Sequence, residues 1–300
     1  MKFTSIFAVL LGLVSLASCA PKQTEPADLP VALQLYTVRD NMAEDFLGTL
    51  TKVKNMGYDG VEFAGLYDYA PAQVKQWCDS LGLVPVSAHV PLADMLEDVD
   101  KVIADYKAVG CQYIVVPYVT EERRPGGELF LQMVEEIRAI GEKAKAAGLV
   151  LLYHNHDFEF NKLESGQTGL DYLYENVPAD FLQTELDQCW VKYAGYEPVE
   201  YLKKYEGRSP VVHLKDFFKS GEQEGDPYAL IGLNEDEKKE NTAFEFRPVG
   251  YGIQDIPAII ETAKAVGSKW LVVEQDQPSM GKTPLECAET SMEYLKSLKK

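Results

Sequence analysis

Apolar and polar positions along this chain switch repeatedly between two periods. Short apolar runs of strand length occur at Val31–Tyr36, Gly60–Phe63, Leu83–Ala88, Tyr113–Pro117, Leu149–Tyr153, Phe181–Leu186, Val211–Leu214 and Trp270–Val273. Between them apolar residues return every three or four positions, the helical period, over Ala43–Met56, Ala70–Leu81, Met95–Val109, Leu129–Ala147, Ile256–Val266 and Pro284–Leu298. The helical signal is weaker after the fifth and sixth runs. Such alternation predicts repeated βα units around a parallel sheet. The joints are marked as well: Met56-Gly57, Leu81-Gly82, Val109-Gly110, Ala147-Gly148 and Val266-Gly267 each place a glycine between a helical stretch and the next strand. Glycine there takes the left-handed conformation that closes a helix. Eight strands with seven or eight interleaved helices predict an α/β fold, a (β/α)8 TIM barrel forming a single domain over residues 31–300. A doubly wound open sheet is the alternative.

The polar residues then carry the most information. The chain has four His, and all fall at or just past the C-terminal ends of predicted strands: His89 on the third, His154 and His156 on the fifth, His213 on the seventh. Acidic residues take the matching positions elsewhere, with Glu62 on the second strand, Glu185 and Asp187 on the sixth and Glu274 on the eighth. Any one of these reads equally well as a strand cap or a local ion pair. Together they converge on one rim, the face of a parallel barrel where active sites form.

Residues two apart on a strand share a face, so His154 with His156, and Glu185 with Asp187, point the same way. His154, Asp187, His213 and Glu274 then supply two imidazoles and two carboxylates, a shell suited to a divalent cation with a position open for substrate. Glu185 or Asp216 is the candidate to orient a ligating imidazole from behind. Gln34, Tyr36, Arg39, Glu62, His89, Tyr118 and Trp190 lie at or just beyond strand ends and are candidate substrate-binding residues. The aromatic members read equally well as core.

Composition narrows the partners. A formal net charge of −18 disfavours nucleic acid, which is bound through clustered Lys and Arg. No P-loop or basic cluster near the rim suggests a phosphorylated ligand. Cys78, Cys111, Cys189 and Cys287 lack CxxC spacing and read as buried thiols, with a disulfide as the alternative. At the start, Lys2 precedes an apolar run from Ile6 to Leu16, too short to span a bilayer. The following Leu16-Ala17-Ser18-Cys19 resembles a bacterial lipoprotein signal. The resemblance implies a signal peptide over 1–18, lipidation at Cys19, a tether over 19–30, export, and attachment to the cell envelope through the lipid alone. The charged stretch from Phe218 to Phe246 reads as an insertion after the seventh strand, either a lid or a solvated excursion.

The ordered pieces Gly60-Val61-Glu62, Tyr153-His154-Asn155-His156, Leu186-Asp187, His213-Leu214-Lys215-Asp216 and Val273-Glu274 resemble the xylose isomerase-like TIM barrel family. That family includes sugar isomerases and epimerases and is related to endonuclease IV. Pro248-Val249-Gly250-Tyr251-Gly252, followed by Asp255, is similar to its glycine-containing loop. The resemblance implies a divalent-metal enzyme acting on a sugar, with four ligands that are usually Glu, Asp, His and Glu. Asp187, His213 and Glu274 match by type, whereas His154 stands where the first Glu is expected, so a relay between two carboxylates does not carry over. A softer shell tilts the metal from Mg toward Mn, Co, Fe or Zn. The expected chemistry is proton abstraction beside a carbonyl of an unphosphorylated or keto sugar, with Glu274 as base and His156 or Lys215 moving a proton at a substrate oxygen. Isomerisation or epimerisation is the first reading and a 3-keto-sugar lyase or hydratase the second. A glycan-binding lipoprotein without turnover is the third.

Overall fold

The computed structural model describes residues 28–220 and 244–299. The expected signal peptide, Cys19 and most of the expected tether lie outside the described residues. Eight parallel strands close into one barrel. They are β1 (Val31–Gln34), β2 (Gly60–Phe63), β3 (Val84–His89), β4 (Tyr113–Val116), β5 (Val150–His154), β6 (Gln183–Asp187), β7 (Val211–Leu214) and β10 (Trp270–Val273), in chain order around the ring, with β10 pairing back onto β1. All eight predicted runs are strands, offset by at most two residues at an end. Their near-continuous apolar character reflects burial on both faces, which parallel strands covered by helices require.

Helices α2 (Phe46–Met56), α3 (Pro71–Leu81), α4 (Leu92–Val109) and α5 (Phe130–Ala147) each end on a glycine with positive φ, as the joints predicted. The expected helix Ala43–Met56 is two pieces, because Asp45 ends α1 (Arg39–Glu44) and its carboxylate accepts from Gly48 N–H at 2.9 Å to start α2. After β5 and β6 the helices are short: α6 (Gly169–Asn176), α7 (Gln188–Tyr193) and α8 (Pro198–Lys204). Helices α9 (Ile256–Ala265) and α10 (Pro284–Ser297) complete the ring.

The flanks of the predicted insertion are ordered and largely apolar. Strand β8 (Asp216–Lys219) pairs antiparallel with β9 (Phe244–Arg247), and Phe217, Phe244 and Phe246 bury against Trp190. The alternation Phe244-Glu245-Phe246-Arg247 is a strand's period of two, so these edges are not a solvated excursion. The residues between them, 221–243, lie outside the described part. Cys78, Cys111, Cys189 and Cys287 are buried free thiols. Among the described residues no helix is long and apolar enough to cross a membrane.

Two layers fill the barrel and set up the site. Ala32, Val86, Val115, Leu152, Val211 and Val272 form an apolar plug inside it. Two residues further along four of these strands, on the same inward face, stand Gln34, His154, His213 and Glu274. The apolar plug therefore gives way to a polar layer at the C-terminal mouth.

Candidate active site

Strand register brings the polar layer together. Asp187 pairs laterally with His213, and His154 with Glu185. His154, Asp187, His213 and Glu274 each offer a ligand atom, all within 4.8 Å of one another, and all four side chains are buried. His154 Nε2 lies 3.3 Å from Asp187 Oδ2 and 3.6 Å from Glu274 Oε2, and His213 Nδ1 lies 3.2 Å from the same Glu274 oxygen. Asp187 is held from one side: its Oδ1 accepts from Trp190 N–H at 3.1 Å, capping α7, so Oδ2 is left facing the cluster. The 3.3 Å approach of His154 to Asp187 is near enough for charge attraction but misaligned for hydrogen bonding. Among the described residues, neither ring nitrogen of His154 nor Asp187 Oδ2 has a hydrogen-bond partner. Buried polar atoms left unpaired cost about 1–3 kcal/mol each, and here they converge on a common point. That arrangement, with two nitrogen and two carboxylate donors, fits a divalent cation.

Behind this group lies a second one that shares His213. Its Nε2 meets Glu62 Oε1 at 2.8 Å and Glu185 Oε2 at 3.3 Å, while His89 Nε2 meets Glu185 at 2.7 Å and Glu62 at 3.1 Å. Glu62 also accepts from Gln34 Nε2 at 2.7 Å and Ser87 Oγ at 2.5 Å. A carboxylate behind an imidazole fixes its tautomer and raises its basicity as a ligand. Glu185 thus stands where a supporting residue is expected, and Glu62 joins it. Burial alone would raise Glu62, but the imidazoles of His89 and His213 hold it well below the carboxylate range. Burial opposes the charged form of His89 too, yet Glu62 and Glu185 push it up to about 10.

The cluster opens on a cavity of about 410 Å³ whose wall includes Tyr36, His89, Tyr118, His154, His156, Lys215 and Glu274. Lys215 enters it almost fully buried. Its ammonium lies 2.6 Å from Asp276 Oδ2, 2.9 Å from Glu274 Oε2 and 3.8 Å from Asp187 Oδ2, over the rings of Phe246 and Trp190 at 5.1 and 5.6 Å. Desolvation would lower its pKa, but those three carboxylates keep it well above the usual lysine value. Burial also opposes charge on Glu274, and Lys215, His154 and His213 override it, so Glu274 stays ionised far into acid. Burial opposes charge on His156 as well, and there the charges of His154 and Lys215 add to it and hold the imidazole neutral.

Several expected roles change. Tyr36 and His89 line the cavity, but Gln34, Glu62 and Trp190 do not. Gln34 and Glu62 are wholly buried in the second group, and Trp190 is packed behind Lys215 and beside His156, 5.2 Å between rings. They therefore stand behind the cavity wall. Arg39 stands back from the cavity and donates to the carbonyls of Tyr36 and Asp276, at 3.0 and 2.8 Å. Asp216 faces away from the ligand group. Its Oδ1 accepts from Phe217 and Gln254 N–H and its Oδ2 from Gly250 and Gly252 N–H, at 2.9–3.1 Å, so it clamps the glycine-containing loop. Asp276 was missed. It lines the cavity and binds Lys215, and the alternation that paired Glu185 with Asp187 would have paired Glu274 with it.

A family model for the xylose isomerase-like TIM barrel matches residues 50–298. The chain belongs to this family. An inosose dehydratase of Mesomycoplasma hyopneumoniae (strain 7448) is 28% identical over 193 residues, 61% of this chain and 57% of that relative. The match thus spans little more than half the relative's length. An inosose dehydratase of Geobacillus kaustophilus is 22% identical over 279 residues, 83% of this chain and 86% of the relative. Among solved structures, a sugar phosphate isomerase/epimerase from Parabacteroides distasonis superposes with TM-score 0.68 at 22% identity, covering 91% of this chain and 96% of that one. The IOLI protein with a binding zinc atom superposes at 0.65 with 19% identity, over 90% and 98%. At these identities the structural likeness shows the barrel fold.

Proposed function

We propose that this chain is a divalent-metal-dependent enzyme acting on an unphosphorylated keto sugar or keto cyclitol, removing a proton beside the carbonyl and expelling a neighbouring hydroxyl as water, or the reverse. The observation that carries this reading is a prospective base and a cationic donor side by side on the cavity wall, Glu274 and Lys215 at 2.9 Å. His154, Asp187, His213 and Glu274 would hold the ion, with Mn, Co, Fe or Zn favoured over Mg by the two imidazoles. A cation bound there would polarise the substrate carbonyl and acidify the adjacent C–H. The described contacts of Glu274 gather on Oε2, so Oε1 is the oxygen to take the proton. The electron pair of that C–H bond becomes a C=C bond, and Lys215 gives its proton to the departing hydroxyl, which leaves as water. Asp276, 2.6 Å away, holds Lys215 in place. A base and an acid adjacent on one wall suit elimination. Two curated relatives named inosose dehydratase support this direction.

Isomerisation or epimerisation is the second reading, because His156 also lines the cavity, its ring 5.1 Å from that of His154, and could return a proton to another face. Solvent exchange and product analysis separate the readings. With metal and a keto sugar in D2O, deuterium enters beside the carbonyl, an unsaturated product accumulates, and Glu274→Gln abolishes both. Exchange with an epimer as product favours the second reading, and no exchange across oxidised and reduced sugars leaves glycan binding without turnover. Export and lipid attachment at Cys19 complete the proposal. Cys19→Ala should move the protein from the membrane to the soluble fraction.

A further inference from the structure

The cavity does not end at the reacting groups. Val90, Asp94 and Tyr106 on its wall also line an adjoining outer cleft of about 780 Å³. The outer cleft runs between the loop after β2 and the length of α4 from Asp94 to Tyr106. Its floor carries Tyr67 and Tyr69. Tyr69 is 39% exposed, yet its ring is fixed against Trp77 and Phe46, at 4.9 and 5.2 Å between centroids. A rigid aromatic face open to solvent, rimmed by carboxylates that accept hydrogen bonds, is the composition that recognises a sugar's apolar face and its hydroxyls. The charge is one-sided: Asp68, Asp94, Glu97, Asp98 and Asp105 line the cleft, and Lys101 is paired with Asp105. An anionic group would meet repulsion there.

We infer that the substrate is a neutral disaccharide or glycoside, its reacting ring in the inner cavity and its second unit in the outer cleft against Tyr69. This rests on the proposed function only for the placement of the reacting ring. It excludes a sugar phosphate or a uronate at the outer position.

The test is calorimetric binding of unreactive probes to the full protein: methyl glucoside, cellobiose, maltose and glucose 6-phosphate. At least one disaccharide should bind about tenfold more tightly than methyl glucoside, the gain expected of one packed ring and a few hydrogen bonds. Glu97→Trp, a wedge at an exposed position on the cleft, should cancel that advantage while methyl glucoside binds as before. Tyr69→Ala should lower the same ratio toward one. Equal affinity for one and two rings, a ratio unmoved by Glu97→Trp, glucose 6-phosphate bound as tightly as a disaccharide, or no saccharide bound at all would each overturn the inference. If deuterium exchange fails while the disaccharide preference holds, the reaction assignment falls and the outer subsite stands. The reverse pattern removes the subsite alone.

Discussion

Asp216→Ala separates a structural role from one in the ligand shell. The sequence offered Asp216 as a group orienting a ligating imidazole, but its two oxygens accept four backbone N–H groups, from Phe217, Gly250, Gly252 and Gln254, at 2.9–3.1 Å. Gly252 is needed there, since a Cβ would lie 2.1 Å from Asp216 Oδ1. Removing the carboxylate orphans four donors on a partly buried loop. Taking about 1 kcal/mol for each, the low end of the cost of an unmade bond, the loss is about 4 kcal/mol. That is a large share of the 5–15 kcal/mol typical of a folded domain, and corresponds to a drop of roughly 6 °C in melting temperature for a chain of 300 residues. Asp216→Asn keeps one acceptor oxygen and should lose about half as much. Urea and thermal unfolding, together with metal content measured well below the transition, decide the matter. A variant with wild-type stability and lost metal would show that Asp216 acts on the ligands, and the loop-clamp assignment would be wrong.

Burial raises the Glu159 carboxyl to about 7, against hydrogen bonds from Tyr153 Oη–H and His156 N–H. The folded state therefore keeps this proton longer than the unfolded chain does. Its contribution is complete below about 4.5 and falls as pH rises toward 7. Urea midpoints compared at pH 5 and pH 8 should show a smaller loss in Glu159→Gln than in the wild type, and equal losses would contradict the assignment. Gly141→Ala in α5 would set a Cβ 2.0 Å from the Phe181 carbonyl oxygen, so about 1–3 kcal/mol of stability should disappear, although Ala favours helices. An unchanged melting temperature would show that the segment at Phe181, just before β6, can move away from α5. Lys215→Met leaves Asp276, Glu274 and Asp187 close together without their cation. It should cut elimination far more than deuterium exchange, because the proton-taking oxygen remains, whereas equal losses in the two assays would remove Lys215 from the role of donor.

How much was legible follows from what each signal measures. Strands such as Val211–Leu214 and Trp270–Val273 stand out because burial on both faces demands continuous apolar residues. Helices α6 to α8 did not, being only six to eight residues long, too few turns to show a period. The convergence of His154, Asp187, His213 and Glu274 was legible from strand ends and alternation, because a closed barrel brings every inward strand end to one mouth. Depth was not. A strand end does not say whether a side chain meets the cavity, as Tyr36 does, or lies beneath it, as Gln34 and Glu62 do. Nor could it show that the ring of Trp190 packs behind Lys215, since that depends on β8 and β9 folding back over α7.

Elemental analysis of protein purified without chelator tests whether two imidazoles and two carboxylates hold an ion at the barrel mouth. The wild type should carry about one divalent ion per chain, and His154→Ala should lose it with the barrel still folded by circular dichroism. No ion in the wild type after incubation with Mn, Co, Fe or Zn, or full occupancy in His154→Ala, would contradict this ligand set.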